Sequence, residues 1–114
     1  MTDSTCLFCR ILRKEIPAAV VFEDDAVLAF RDIAPKAPTH VLVIPKAHVE
    51  RLSHATEKDD ALLGRLLRTA GQVAAQEGLK DYRVAVNNGA GAGQSVFHLH
   101  LHLLGGRSFS WPPG

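Results

Sequence analysis

Val96-Phe97-His98-Leu99-His100-Leu101-His102-Leu103-Leu104 alternates imidazole with aliphatic side chains over its second half. In an extended strand, residues two apart share a face. His98, His100 and His102 would therefore project together, roughly 6–7 Å apart, with Leu99, Leu101 and Leu103 turned the other way. On a helix the same three positions would be spread around much of the circumference, so the pattern predicts a strand from Val96 to Leu104. Crowding three imidazoles disfavours charging more than one, and neutral imidazole is both a nucleophile and a metal ligand. Two enzymatic readings follow, a nucleophilic histidine or a histidine-held catalytic zinc, beside the plainer one of a polar face on an exposed strand.

The preceding loop, Asn88-Gly89-Ala90-Gly91-Ala92-Gly93-Gln94-Ser95, is glycine-rich. Glycines let backbone N–H groups approach a ligand and form an anion-binding concavity. The loop lacks the Gly-Lys-Ser/Thr ending of a P-loop and leads into a strand, so that motif is excluded. Joined to the histidine strand, it would bring donors and a nucleophile to one place.

The rest of the chain supplies a partner for the leucine face. From about Asp59 to Glu77, Leu62, Leu63, Leu66, Leu67, Ala70, Val73 and Ala74 recur at three- and four-residue spacing, which predicts one long amphipathic helix. Asp59 and Asp60 favour its positive end, and Gly78 suits the left-handed residue after its last turn. A short helical stretch is expected over Leu7–Glu15, closed by Pro17. Strands are expected at Val20–Glu23, Val27–Arg31, Val41–Ile44 and Tyr82–Asn87, with the double-proline segment Ala34–Pro38 as a loop. Five strands and two helices predict an α+β domain with an antiparallel sheet.

Composition narrows the class. The 114 residues suit one domain over 1–114, and 46% hydrophobic content is enough for a core. A formal net charge of +1 gives no basic excess for duplex binding, so a nucleic-acid partner is not indicated. No apolar run approaches the roughly 20 residues that cross a bilayer, and Met1–Thr5 does not resemble a signal peptide. A cytoplasmic setting is therefore expected. There the two cysteines, Cys6 and Cys9, would stay reduced. They form a Cys-x-x-Cys pair too near the start to follow a strand, unlike a thioredoxin-type motif. Either they are two buried thiols, or His48 and His98 complete a closed Cys2His2 zinc site with them. His54 lies in a polar stretch and is expected to be solvated.

Gln94-Ser95-Val96-Phe97-His98-Leu99-His100-Leu101-His102-Leu103-Leu104 resembles the signature of the histidine-triad (HIT) family. Asp32-Ile33-Ala34-Pro35, Pro38-Thr39-His40, Val43-Ile44-Pro45-Lys46 and Gly105-Gly106-Arg107 with the terminal Trp111-Pro112-Pro113-Gly114 resemble its Hint branch of purine nucleoside phosphoramidases. The resemblance implies a homodimer that binds purine nucleoside monophosphates or their phosphoramidates. His100 would attack the α-phosphorus, and water would resolve the nucleotidyl-histidine. His98, His102 and Ser95 would stabilise charge and assist the leaving amine. It further implies Asp32 at the ribose hydroxyls, Phe8, Phe30, Ile33 and Leu42 as an apolar slot for the base, and His40, Asn87, Gly93 and Gln94 lining the site. Some members hold structural zinc on a cysteine pair, a histidine after the Pro-Lys turn and the first triad histidine, here Cys6, Cys9, His48 and His98. No catalytic cofactor is implied. A binding module with vestigial catalysis is the alternative from outside the enzymes.

Overall fold

The computed structural model describes residues 5–114. Helix α1 (Leu7–Leu12) is followed by strands β1 (Val20–Glu23), β2 (Val27–Arg31) and β3 (Thr39–Pro45), helix α2 (Asp60–Gln76), and strands β4 (Tyr82–Val86) and β5 (Leu101–Gly105). The five strands form one antiparallel sheet in the order β1-β2-β3-β5-β4. The α+β architecture read from the sequence is the one observed, with one long and one short helix. Among the described residues no helix is long and apolar enough to cross a membrane.

Alternation along the strands splits the core into two layers. Val27 and Ala29 of β2, Val41 and Val43 of β3, and Leu101 and Leu103 of β5 pack against Leu66, Ala70, Val73 and Ala74 of α2. The intervening Leu28, Phe30, Leu42 and Ile44 pack on the opposite face against Cys6, Phe8 and Cys9 of the α1 segment. Leu42 pairs with His102 across β3 and β5, which puts the histidine face on the α1 side. Buried from both sides, β2 and β3 read as unbroken apolar runs.

Several details differ from the sequence reading. Helix α1 stops at Leu12 rather than Glu15. Lys14 takes a left-handed φ of 62°, and Glu15 N–H bonds back to the Arg10 carbonyl while Lys14 N–H bonds to that of Ile11. This is a Schellman ending with lysine where glycine is usual, so the sequence carries no glycine signal for it. On α2, Leu67 is 59% exposed while Thr69 is buried, satisfying its hydroxyl on the Arg65 carbonyl (2.7 Å). The buried stripe is thus displaced from the run of leucines.

The largest correction concerns β5, which begins at Leu101 and not Val96. Its neighbours have turned away. Strand β3 ends at Pro45, which has no N–H to donate, and β4 ends at Val86. Leu99 N–H instead donates to the Val49 carbonyl (2.6 Å). His98 and His100 therefore precede the ladder and are held by individual contacts, whereas His102 sits within it.

Candidate active site and metal centre

The three triad histidines do different things because each ring is anchored differently. His100, 6% exposed, bonds through Nδ1 to the His98 carbonyl at 2.7 Å. A carbonyl can only accept, so Nδ1 carries the proton and Nε2 presents a lone pair. Burial pushes the His100 imidazole below its usual pKa, partly opposed by that hydrogen bond, which keeps the ring neutral at pH 7.

His102 is governed from the other side. Lys36 N–H donates to His40 Nδ1 (3.0 Å), which fixes the proton of neutral His40 on Nε2. His40 Nε2 then lies 2.9 Å from His102 Nδ1 and 3.4 Å from an Asp32 carboxylate oxygen. His102 Nδ1 accepts, so its Nε2 carries a proton. The His100 and His102 rings are adjacent, with centroids 4.9 Å apart. Burial, then the neighbouring His100 and His40, push His102 down to about 4. A lone pair thus stands beside an N–H donor, both on neutral rings.

His102, His40, Asp32, Asn87, Ser95 and Lys36 line a cleft of about 1110 Å³. Asp32 uses one carboxylate oxygen on Ala34 N–H (2.8 Å), which turns the chain before the Pro35 loop. Its other oxygen faces His40. Phe8, Phe30 and Leu42 lie together in the α1-side core, and Phe8 meets Phe30 edge-on at 5.4 Å. Ile33 stands apart from them, fully exposed.

The glycine loop corrects two expectations. It closes as a single 3-10 turn, with Gly89 and Gly93 both at φ 94°, a conformation that excludes ordinary side chains. Ala92 and Gln94 N–H groups donate to the Gly89 carbonyl and Gly93 N–H to that of Ala90. These N–H groups are used inside the loop and do not form an anion nest at Gly93. The Gln94 side chain is buried and turned inward. It accepts from Gly89 N–H (2.8 Å) and donates to the Glu50 (2.9 Å) and Val96 (3.1 Å) carbonyls. Gln94 holds the loop and contributes no group to the cleft; sequence could not distinguish an inward from an outward amide.

His98 faces elsewhere altogether. It is fully buried, and its Nε2–H donates to the Pro45 carbonyl (2.8 Å), which leaves Nδ1 unprotonated. That Nδ1 lies 3.4 Å from Cys6 Sγ, 3.5 Å from Cys9 Sγ and 3.2 Å from His48 Nδ1. Cys9 Sγ is 3.3 Å from His48 Nδ1, and all four ligand atoms lie within 4.8 Å of one another. Zinc bonds of about 2.3 Å to sulfur and 2.0–2.1 Å to nitrogen imply tetrahedral edges of roughly 3.4 Å between nitrogens and 3.6 Å between nitrogen and sulfur. The observed spacings fit. The Pro45 carbonyl supplies the outer hydrogen bond that orients a ligating imidazole. Burial pushes His98 down to about 4 and the Cys6 thiol up. The first keeps His98 in its ligating form; the second means that metal binding must displace a thiol proton. Cys6, Cys9, His48 and His98 are thus compatible with a closed structural zinc site.

A second cluster, Asp32, His40 and His102, has ligand-like proximity but the wrong protonation. The backbone N–H of Lys36 cannot become an acceptor, so His40 Nε2 keeps its proton and offers no lone pair. The three triad rings also diverge, His98 to the cysteines, His100 to a carbonyl and His102 to His40. A catalytic zinc held by all three has no geometry here.

Protonation sets an acid limit on stability. The folded pKa of His102 lies below the unfolded value of about 6.5, so below that pH the unfolded chain binds more protons. Stability should hold above pH 6.5 and fall as pH drops toward 4, by at most about 1.4 kcal/mol per pH unit for this residue. Denaturant titrations between pH 4 and 8 should give a shallower slope for His102→Gln than for the wild type; equal slopes would rule His102 out as a contributor.

Known proteins resemble this chain in sequence and fold. The HIT domain family model matches residues 13–109. A 14 kDa zinc-binding protein of Zea mays is 54% identical over all of this chain and 91% of its own length. Adenylylsulfatase HINT1 of Arabidopsis thaliana is 53% identical, over 99% of this chain and 79% of that protein. The crystal structure of a HIT family hydrolase from Legionella pneumophila superposes with a TM-score of 0.94 at 53% identity, covering 96% of this chain and 100% of that one. The chain belongs to the HIT family.

Proposed function

We propose that this protein hydrolyses purine nucleoside 5′-phosphoramidates or related adenylylated compounds through a nucleotidyl intermediate on His100. The observation that supports the reading is the His98 carbonyl on His100 Nδ1, which leaves Nε2 as the unprotonated nitrogen available for attack. Attack forms the Nε2–phosphorus bond and breaks the bond from phosphorus to the leaving amine or acid anion. Nε2–H of His102 and the Ser95 hydroxyl serve as donors to the phosphoryl oxygens and the leaving group. A departing amine takes up one proton; water then attacks the same phosphorus and releases one proton, the Nε2–P bond breaks, and His100 returns neutral. The Asp32 carboxylate accepts from the ribose hydroxyls. The Arabidopsis relative is named an adenylylsulfatase, and cleavage of an adenylyl–sulfate bond is of the same chemical type.

We further infer a homodimer working in the cytoplasm. Strand β4 pairs with β5 on one side, and Tyr82 at its start and Trp111 in the tail are exposed, a surface that a second copy would cover. Reducing conditions there keep Cys6 and Cys9 available to zinc.

The test is rapid-quench mass spectrometry during turnover of adenosine 5′-phosphoramidate. A mass increase of one adenylyl group, mapped to His100, is the expected result. Turnover without any adduct on His100 would refute the covalent route, and tight AMP binding without turnover would favour a binding module.

A further inference from the structure

The reaction centre and the metal centre share one residue. His98 gives its Nδ1 to the Cys–His cluster, its Nε2–H to Pro45, and its carbonyl to His100. Ring and carbonyl hang from the same Cα, so whatever fixes the ring limits where the carbonyl can be.

A second link runs through α1. Phe8 stands between Cys6 and Cys9 on a single helical turn. Its ring meets His100 edge-on, with centroids 5.1 Å apart at 86°, and meets His98 at 5.9 Å. Helix α1 has only six residues, too few to be stable alone. The place of the Phe8 ring is therefore set by its packing on Phe30 together with what anchors the two cysteines that flank it. An edge-on aromatic beside the imidazole restricts its rotation, while the His98 carbonyl selects its tautomer.

We propose that Phe8 is a positioning residue for His100, and that zinc on Cys6, Cys9, His48 and His98 sets the orientation and tautomer of the nucleophile through Phe8 and the His98 carbonyl. The metal takes no part in the chemical step. The consequence for turnover rests on His100 as nucleophile, whereas the effect on the imidazole does not.

Nitrogen-15 spectra of the histidines in ligand-free protein test this directly. Zinc-loaded wild type should show His100 as a single Nδ1–H tautomer, and protein stripped by chelator under reducing conditions should show a mixture. Phe8→Leu keeps all four ligands and carries the decision if the metal-free chain loses its fold. Loaded with cobalt, it should keep the wild-type thiolate-to-metal absorption; loaded with zinc, it should show the mixed tautomer. Its rate of adduct formation should fall about tenfold with KM within about twofold, as expected for a misoriented reacting group. Unchanged His100 spectra in both the metal-free protein and Phe8→Leu would overturn the proposal. So would a Phe8→Leu variant in which KM rises and kcat does not fall, since that is the signature of a base slot alone. Wild type that forms no adduct would sink the hydrolase reading, while the tautomer spectra would still decide this one.

Discussion

His100→Ala should lower the turnover of an adenosine 5′-phosphoramidate by roughly three orders of magnitude or more, because no neighbour can take over the attack. His98 Nδ1 is directed at the cysteines and its Nε2–H at Pro45. His102 accepts from His40 at Nδ1, and its remaining nitrogen carries a proton. Removing His100 thus removes the one lone pair placed for attack beside His102. The substitution also leaves the buried His98 carbonyl without its donor, a cost of about 1–3 kcal/mol, so folding is checked by circular dichroism and zinc content. His100→Gly separates chemistry from structure. It opens a ring-sized space beside Phe8, and added imidazole should restore measurable turnover if nucleophilicity is what was lost. His102→Ala removes a donor to the phosphoryl group, and a smaller loss of about 10²–10³ is expected. Comparable rates in wild type, His100→Ala and His100→Gly would show that the cleft binds nucleotide without using this histidine.

Much of this organisation was legible because it rests on period and sign. The leucines of the triad do face α2, and strands β1 and β2 fall where two short apolar runs flank the turn at Asp24-Asp25. That turn closes on its own side chain, with Ala26 and Val27 N–H groups donating to Asp24. The cysteine pair, His48 and His98 were identifiable as donors of the right type, and the fold brings them together. What sequence could not give was direction. Alternation promised three imidazoles side by side, yet strand pairing begins only at Leu101, and the two earlier rings follow a carbonyl and a thiol cluster instead. The apparent phosphate loop closes on itself because Gly89 and Gly93 turn its N–H groups inward. The tautomer of His40 depends on the Lys36 backbone N–H, a group present in every non-proline residue and so invisible to motif reading.

Zinc removal should destabilise the protein more than any single substitution in the cleft. The four ligands come from α1 and its N-cap, the segment after β3 and the segment before β5, and the described contacts of α1 are otherwise those of a small apolar layer. Zinc present at about a thousandfold over its dissociation constant stabilises the folded state by roughly 4 kcal/mol, equivalent to a Tm rise of about 15 °C for a domain of this size. Chelation under reducing conditions should reverse that rise, and added zinc should restore it. Cys9→Ser should cost more than Cys6→Ser, because Cys9 is fully buried and its sulfur touches both His48 and His98, whereas Cys6 contacts His98 alone among the ligating imidazoles. His54, half exposed beside Glu50, is the internal control, and His54→Ala should leave Tm unchanged. A Tm indifferent to chelator would mean that the cluster is held by thiol–imidazole hydrogen bonds. The convergence of His98 Nδ1 and His48 Nδ1 at 3.2 Å would then be one hydrogen bond, with the proton on His48. Loss of activity on chelation without loss of Tm would separate the two roles, leaving the metal to align His100 in a fold that stands without it.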